Sequence, residues 1–280
     1  MTTVVLTDST AYIPEHARND LNIHMVPLNV IFGEETYREE IDITTEEFYE
    51  KVKETEELPK TSQPSVGAVM EKLEELKENY DDVIAITLSS GISGTYQAMH
   101  SAGNMVEGIR LHLFDSEISC LMQGFYALEA SRCAQGGEPP EEIMKRLGEM
   151  KQSMSAYFIV DDLRHLARGG RLNGSQAFIG SMLQVKPILH FVDTKIVPFE
   201  KIRTYKKARK RTLELFDEAA ADGSRVHAAV IHANRPAEAR AWKQEIEKRY
   251  ENVTVTISHF GPVIGTHLGE GAMGLGWYKE

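Results

Sequence analysis

Val83-Ile84-Ala85-Ile86-Thr87-Leu88 runs directly into Ser89-Ser90-Gly91-Ile92-Ser93-Gly94-Thr95-Tyr96. The first six residues are too short for a helix and show no polar alternation. That pattern is expected of a strand buried on both faces. A glycine- and serine-rich loop follows, and then a helix. Gly91 and Gly94 let backbone approach a ligand closely. Amide N–H groups at the helix start, with the helix dipole, favour a negative charge there, and Ser93 adds a hydroxyl donor. This is an anion site in outline, although a plain tight turn has the same composition. It is not a phosphate-binding P-loop, because no Gly-Lys-Ser/Thr follows, and it misses the G-x-S-x-G nucleophile pattern because Gly94 directly follows Ser93.

The same alternation extends outward on both sides. Strands are expected at 4–7, 25–32, 83–88, 111–114, 157–160, 185–191, 226–231 and 253–258. The helices between them carry start signals. Thr44 with Glu47 forms a capping box. Ser65 can cap a helix that buries Val66, Val69, Met70, Leu73 and Leu76. Pro139-Pro140 opens another with Ile143, Leu147 and Met150 inward, and Asn234 with Pro236 opens one carrying Ala239, Trp242 and Ile246. A further helix is expected over 205–220. This order predicts an α/β fold in two domains. Residues 1–155 would form the first, on a mainly parallel Rossmann-like sheet with a small, irregular, acidic excursion near 30–65. Residues 156–280 would form the second, on a mixed sheet.

The chain has 280 residues, 42% hydrophobic and 26% charged, with a net charge of −11. The acidic balance argues against a nucleic-acid partner. Cys120 and Cys133 form no CxxC or metal-ligand spacing, and the histidines show no HxH or HExxH, so incidental thiols and no metal site are expected. The start lacks a signal peptide pattern and no stretch has transmembrane length, so a cytoplasmic protein is expected, with at most transient contact with a membrane surface.

Five other segments carry chemistry. Thr7-Asp8-Ser9-Thr10 ends the opening strand, where ligands of open α/β sheets bind, although Asp8 or Ser9 can equally cap the helix begun near Pro14. Lys60-Thr61-Ser62-Gln63-Pro64-Ser65 is a rigid hydroxyl-rich approach to a helix, able to hold an anion or simply to start the helix. Ala167-Arg168-Gly169-Gly170-Arg171-Leu172 sets two arginines beside a turn. Residues 195–211 carry eight cations against Glu200, either a solvated helix face or a docking patch for an acidic partner or phosphate. Finally, Gly261, Gly265, Gly269, Gly271, Gly274 and Gly276 crowd a stretch that reads as a loop wrapped close to a ligand, with His267 as a hydrogen-bonding group.

Taken together, TDST at 7–10, TSQPSVG at 61–67, LSSGISGTYQ at 88–97, Asp115-Ser116, GGRL at 169–172, KPIL at 186–189, Arg203 with Lys206-Lys207-Ala208, and GPVIGTH at 261–267 resemble the DegV family, the fatty-acid-binding (FakB-type) subunits of bacterial fatty acid kinase. The resemblance runs in family order over nearly the whole chain. It implies a long-chain fatty acid buried between two α/β domains, its carboxylate held by Thr61, Ser93 and His267, with Ser62, Gly94, Thr95 and Thr266 supporting the loops. It implies no cofactor and no catalytic residue of the chain's own. A separate ATP-dependent fatty acid kinase would phosphorylate the carboxyl group, and the carrier would hold the acyl phosphate for phospholipid synthesis, with an acyltransferase as a further partner. Arg171 and Arg203 are carried over as pocket-mouth or partner-docking residues. Three positions depart from the family pattern: Asp193-Thr194-Lys195 in place of Asp-Gly-Lys, Asp162 in place of a threonine, and Glu270 in place of a proline. The rival readings are a serine hydrolase using Ser93 and His267, which requires contact between them and a third orienting group, and a phosphate- or nucleotide-binding module.

Overall fold

The computed structural model describes residues 2–55, 57–172 and 185–280. Along the first half run β1 (Thr3–Asp8), α1 (Glu15–Asp20), β2 (Ile23–Val26), β3 (Asn29–Phe32), β4 (Glu35–Arg38), α2 (Thr45–Glu54), β5 (Lys60–Ser62), α3 (Val66–Leu76), β6 (Asp82–Thr87), α4 (Thr95–Gly103), β7 (Arg110–Asp115), α5 (Leu121–Gln135) and α6 (Pro140–Ser153). The second half holds β8 (Ser155–Ile159), α7 (Leu163–Arg168), β9 (Ile188–Val192), β10 (Lys195–Glu200), α8 (Tyr205–Ala220), β11 (Val226–His232), α9 (Pro236–Arg249), β12 (Val253–His259), α10 (Pro262–Leu268) and β13 (Met273–Lys279).

The helix starts follow their local chemistry. Thr44 and Glu47 complete the reciprocal capping box of α2. Ser65 accepts from the Ala68 N–H at the start of α3, which buries Val69, Leu73 and Leu76. Pro140 occupies the first turn of α6, where its missing N–H costs nothing. Asp162, the departure from threonine, caps α7 by accepting from Arg164 N–H.

β1, β2, β6 and β7 form a four-stranded parallel sheet in the order β2-β1-β6-β7. The second large sheet has the order β10-β9-β8-β13-β11-β12 and is mixed: β11 and β12 run parallel, and every other pair is antiparallel. A small antiparallel sheet, β4-β3-β5, completes the set. One apolar cluster backs the parallel sheet on α3 and α4, through Leu73 and Met99 among others. Another lies between the mixed sheet and α8 and α9, around Phe216 and Trp242. The largest joins the two large sheets, with α5 buried between them and apolar or small along most of its circumference. Cys120 and Cys133 lie at and in α5 as free, buried thiols.

Four sequence expectations are corrected. The single strand over 25–32 is two, because Pro27 has no N–H for the ladder: β2 joins the parallel sheet and β3 the small one. The excursion is not irregular, since β4 and β5 both pair with β3. Residues 195–200, counted among a basic patch, form β10. The glycine-rich stretch is not a loop but α10 and β13, where Met273, Leu275 and Trp277 pack into the outer cluster and Gly274 and Gly276 alternate onto the opposite face.

The β9–β10 turn places Asp193 at φ 46° and Thr194 at φ 70°. A β-branched residue in the left-handed region is strained. Its carbonyl oxygen nevertheless accepts from Ser89 Oγ at 2.6 Å, which fastens the hairpin to the loop that carries Ser93. Thr194→Gly keeps that carbonyl and removes the strain. It is expected to raise stability by about 1 kcal/mol, net of glycine's greater unfolded-state freedom, measured by urea denaturation.

Candidate functional site

Three elements bring the expected head-group residues together. Thr61 sits on β5, placed by its pairing with Val30 of β3. Ser93 lies in the loop after β6, and His267 in the last turn of α10. All three line one cavity of about 290 Å³ between the large sheets. Thr61 Oγ1 and His267 Nε2 are 2.8 Å apart. Ser93 Oγ lies 2.9 Å from Thr95 Oγ1. The rest of the wall is mainly apolar, with Leu88, Ile118, Phe158, Phe191 and Phe260 among its side chains beside Ser119 and Tyr157. Its floor passes over Gly274 and Gly276, and a Cβ on Gly276 would lie 2.5 Å from Met122 Sδ.

The Ser93 loop presents less free backbone than its composition suggests. The N–H groups of Ile92 and Ser93 turn back to Ser89 O, that of Ser90 reaches Asp115, and that of Thr95 reaches Ser93 Oγ. Ile92, Ser93 and Gly94 of this loop line the cavity. The Gln63 amide packs against Gly94: a Cβ there would meet Oε1 at 1.8 Å, so the amide would have to swing aside. Thr95 is fully buried at the start of α4. Ser62 lines the cavity and accepts from Asn29 Nδ2 at 3.1 Å. Thr266 does not reach the main cavity; its hydroxyl bonds back to Pro262 O at 2.8 Å.

His267 packs against Gly169, where a Cβ would come within 2.3 Å of Nδ1. Burial first, then the nearby Arg171 and His165, push its pKa down to about 4. The ring is therefore neutral at pH 7, and Nδ1 has no hydrogen-bond partner among the described residues. The hydrolase arrangement is not assembled among the described residues: His267 pairs with Thr61, Ser93 pairs with Thr95, and no carboxylate there orients the ring.

The depressed pKa has a stability consequence. Between pH about 6.5 and about 4 the unfolded chain binds a proton at this residue that the folded chain does not, so stability falls as pH drops through that window. The loss reaches at most about 3 kcal/mol. His267→Gln is expected to flatten the decline by part of that amount; His232, also pushed down to about 4, keeps its own share. Urea denaturation at a series of pH values measures the difference.

Arg171 lines the same cavity, its Nε donating to Ile92 O at 3.0 Å and its Nη1 to Gly169 O at 2.6 Å. An adjoining groove, lined by Lys60, His165, Arg168 and Arg171, leads outward from Thr61 and His267. Arg203 is exposed and lines neither space. The Thr7–Thr10 segment lies outside the cavity as well: Asp8 caps the turn through Thr10 and accepts the Leu88 N–H at 2.8 Å, tying β1 to the end of β6. Glu270 is held by Lys53 at 3.1 Å and by Asn234. Sequence reasoning missed Glu39, Gln63 and the apolar walls; only the alternation of glycines at 274 and 276 signalled a cleared strand face.

Among the described residues no helix is long and apolar enough to cross a membrane, and no group of three or more His, Cys, Asp or Glu is placed to hold a metal. The DegV family model matches residues 2–280. Protein DegV of Bacillus subtilis is 57% identical over 278 residues, 99% of each chain. The crystal structure of DegV, a fatty acid binding protein from Bacillus subtilis, superposes with a TM-score of 0.96 at 56% identity, all of both chains being covered. A DegV family protein from Thermus thermophilus, described by its fatty acid binding, superposes at 0.90 with 30% identity, again over both whole chains. A match of this extent, with relatives this similar from end to end, establishes that the chain belongs to the DegV family.

Proposed function

We propose that this protein is a fatty-acid carrier that presents the carboxyl group of its bound acid to a separate ATP-dependent kinase. The observation that supports the reading is that Thr61, Ser93 and His267, the first and last in contact, all line one cavity whose walls are otherwise mainly apolar. The relatives described as fatty-acid-binding share the fold over the full chain. Burying roughly sixteen carbons at about 0.8 kcal/mol each supplies on the order of 10 kcal/mol before ordering costs, so the tail provides affinity. The two hydroxyls and the neutral imidazole then fix the orientation of the carboxylate.

In the proposed transfer a carboxylate oxygen attacks the γ-phosphorus of ATP and ADP leaves. The nucleotide and its metal belong to the kinase. The groove outside Thr61 and His267, where Lys60, Arg168 and Arg171 outnumber Glu57, is the side from which that phosphate would arrive, and Arg171 stands where the acyl phosphate would form. The acyl phosphate would remain on the carrier for phospholipid synthesis. Bringing the loaded protein together with a bacterial fatty acid kinase and ATP tests this: hydroxylamine should trap an acyl hydroxamate only when both proteins are present. Trapping by the kinase and free acid alone, at the same rate, would refute the carrier role.

A further inference from the structure

We infer that Glu39 is a positioning residue of the head-group site, clamping the helix that carries His267 to the small sheet that carries Thr61. This deepens the fatty-acid reading and rests on it for its ligand-binding arm alone. Glu39 follows β4 and is completely buried. Its carboxyl group receives three donors from two other parts of the chain. Ser9 Oγ donates at 2.5 Å and Tyr12 OH at 2.9 Å, both from the turn after β1. The Val263 N–H donates at 2.7 Å, from the first turn of α10. Ser9 Oγ itself accepts the Leu28 N–H at 3.0 Å, and the Glu39 N–H donates to Leu28 O at 2.9 Å.

The consequence follows from the shortness of α10. Val263 and His267 are four residues apart, about 6 Å along one rigid helix. A displacement at Val263 is therefore carried to the imidazole. The helix has little other freedom at this end: Tyr49 OH donates to Phe260 O at 2.8 Å, and Gly261 lies so close to Tyr12 that a Cβ would be 2.4 Å from its ring. At the other side of the clamp, β5 pairs with β3 in the same small sheet as β4, so Glu39 and Thr61 move as one unit. The 2.8 Å contact between Thr61 and His267 spans 206 residues of sequence, and Glu39 is a buried polar link between its two supports. Burial pushes the Glu39 carboxyl up to about 8, so a neutral amide of the same shape is a fitting stand-in. Its oxygen can accept from Tyr12 and Val263, while its NH₂ donates to Ser9 Oγ, the one contact of the three whose direction reverses.

The test compares Glu39→Met with Glu39→Gln in the full chain. The first readout is the ring ¹⁵N spectrum of His267 in ligand-free, histidine-labelled protein, assigned with His267→Gln. The second is the ratio of affinities for palmitate and for hexadecanol, which shares the tail but not the carboxylate. Glu39→Met should shift the His267 Nε2 signal and lower the acid-to-alcohol ratio about tenfold, the loss of one hydrogen bond to a charged group. Glu39→Gln should restore both toward wild type. Equal loss of acid and alcohol with an unmoved His267 signal would mean a purely structural role and overturn the inference, as would equal damage from the two variants. Should Glu39→Met not fold, Tyr12→Phe removes one donor in its place, and an unmoved His267 signal there would count the same way. Failure of the wild type to bind palmitate would instead refute the carrier reading, and the ¹⁵N arm would still decide the role of Glu39.

Discussion

His267→Ala is expected to lower palmitate affinity about tenfold, the cost of one hydrogen bond to a charged group, and to reduce acyl phosphate formation by on the order of a further hundredfold through misplacement of the carboxylate. The ring bonds Thr61 Oγ1 at 2.8 Å from a buried position, so its removal takes away one contact to the ligand and releases a second. The two effects separate experimentally. Direct binding reports the first, and single-turnover phosphorylation of preloaded protein reports the second. Thr61→Ala should resemble His267→Ala, and the double variant should be little worse than either, because the two groups act as one unit. Independent, additive losses would mean that the contact between them does not matter to the ligand. Ser93→Ala should add to both, since its hydroxyl is held by Thr95 and not by the pair.

The second large effect is expected at Gly276. Its Cβ would lie 2.5 Å from Sδ of Met122, another residue of the cavity wall, and its backbone is not in the left-handed region, so strand geometry tolerates a side chain but Met122 must shift. Valine suits a strand, and a Met122 displaced into the cavity takes space the acyl chain would use. If it excludes about three methylenes at about 0.8 kcal/mol each, palmitate affinity falls by tenfold or more while shorter acids lose less. A series of acids of increasing length, measured by competition against a fluorescent fatty acid, would show the maximum moving to shorter chains. Gly148→Ala, on α6 with nothing within 4 Å of the new methyl, is the control and should leave the series in place. An unchanged length profile in Gly276→Val would show that the tail does not pass over β13.

Much of this architecture is legible in the chain because its signals are local. The buried run at 83–88, the Thr44–Glu47 box, the Ser65 cap and the prolines at 140 and 236 each act within a few residues of themselves, and the corresponding elements form as expected. The errors arise where pairing is long-range. β4 and β5 are short and polar, and they are strands only because β3 lies between them. Met273–Lys279 reads as loop because glycine marks both turns and strand faces cleared for a ligand, and only the antiparallel neighbours on either side distinguish the two. The motifs at 61, 93 and 267 each supply a residue that lines the cavity. Its other walls were not legible, since they are assembled from short segments scattered between Leu28 and Gly276. Glu39 gave no sequence signal: an acidic residue in an acidic excursion is indistinguishable from a solvated one until its three donors are seen.

The most direct test of the carrier reading is native mass spectrometry of the purified protein, followed by denaturing extraction of whatever is released. The account predicts one long-chain fatty acid per chain, lost on denaturation and restored when the acid is added back. A protein that carries no lipid, and that binds no fatty acid when one is supplied, would contradict it.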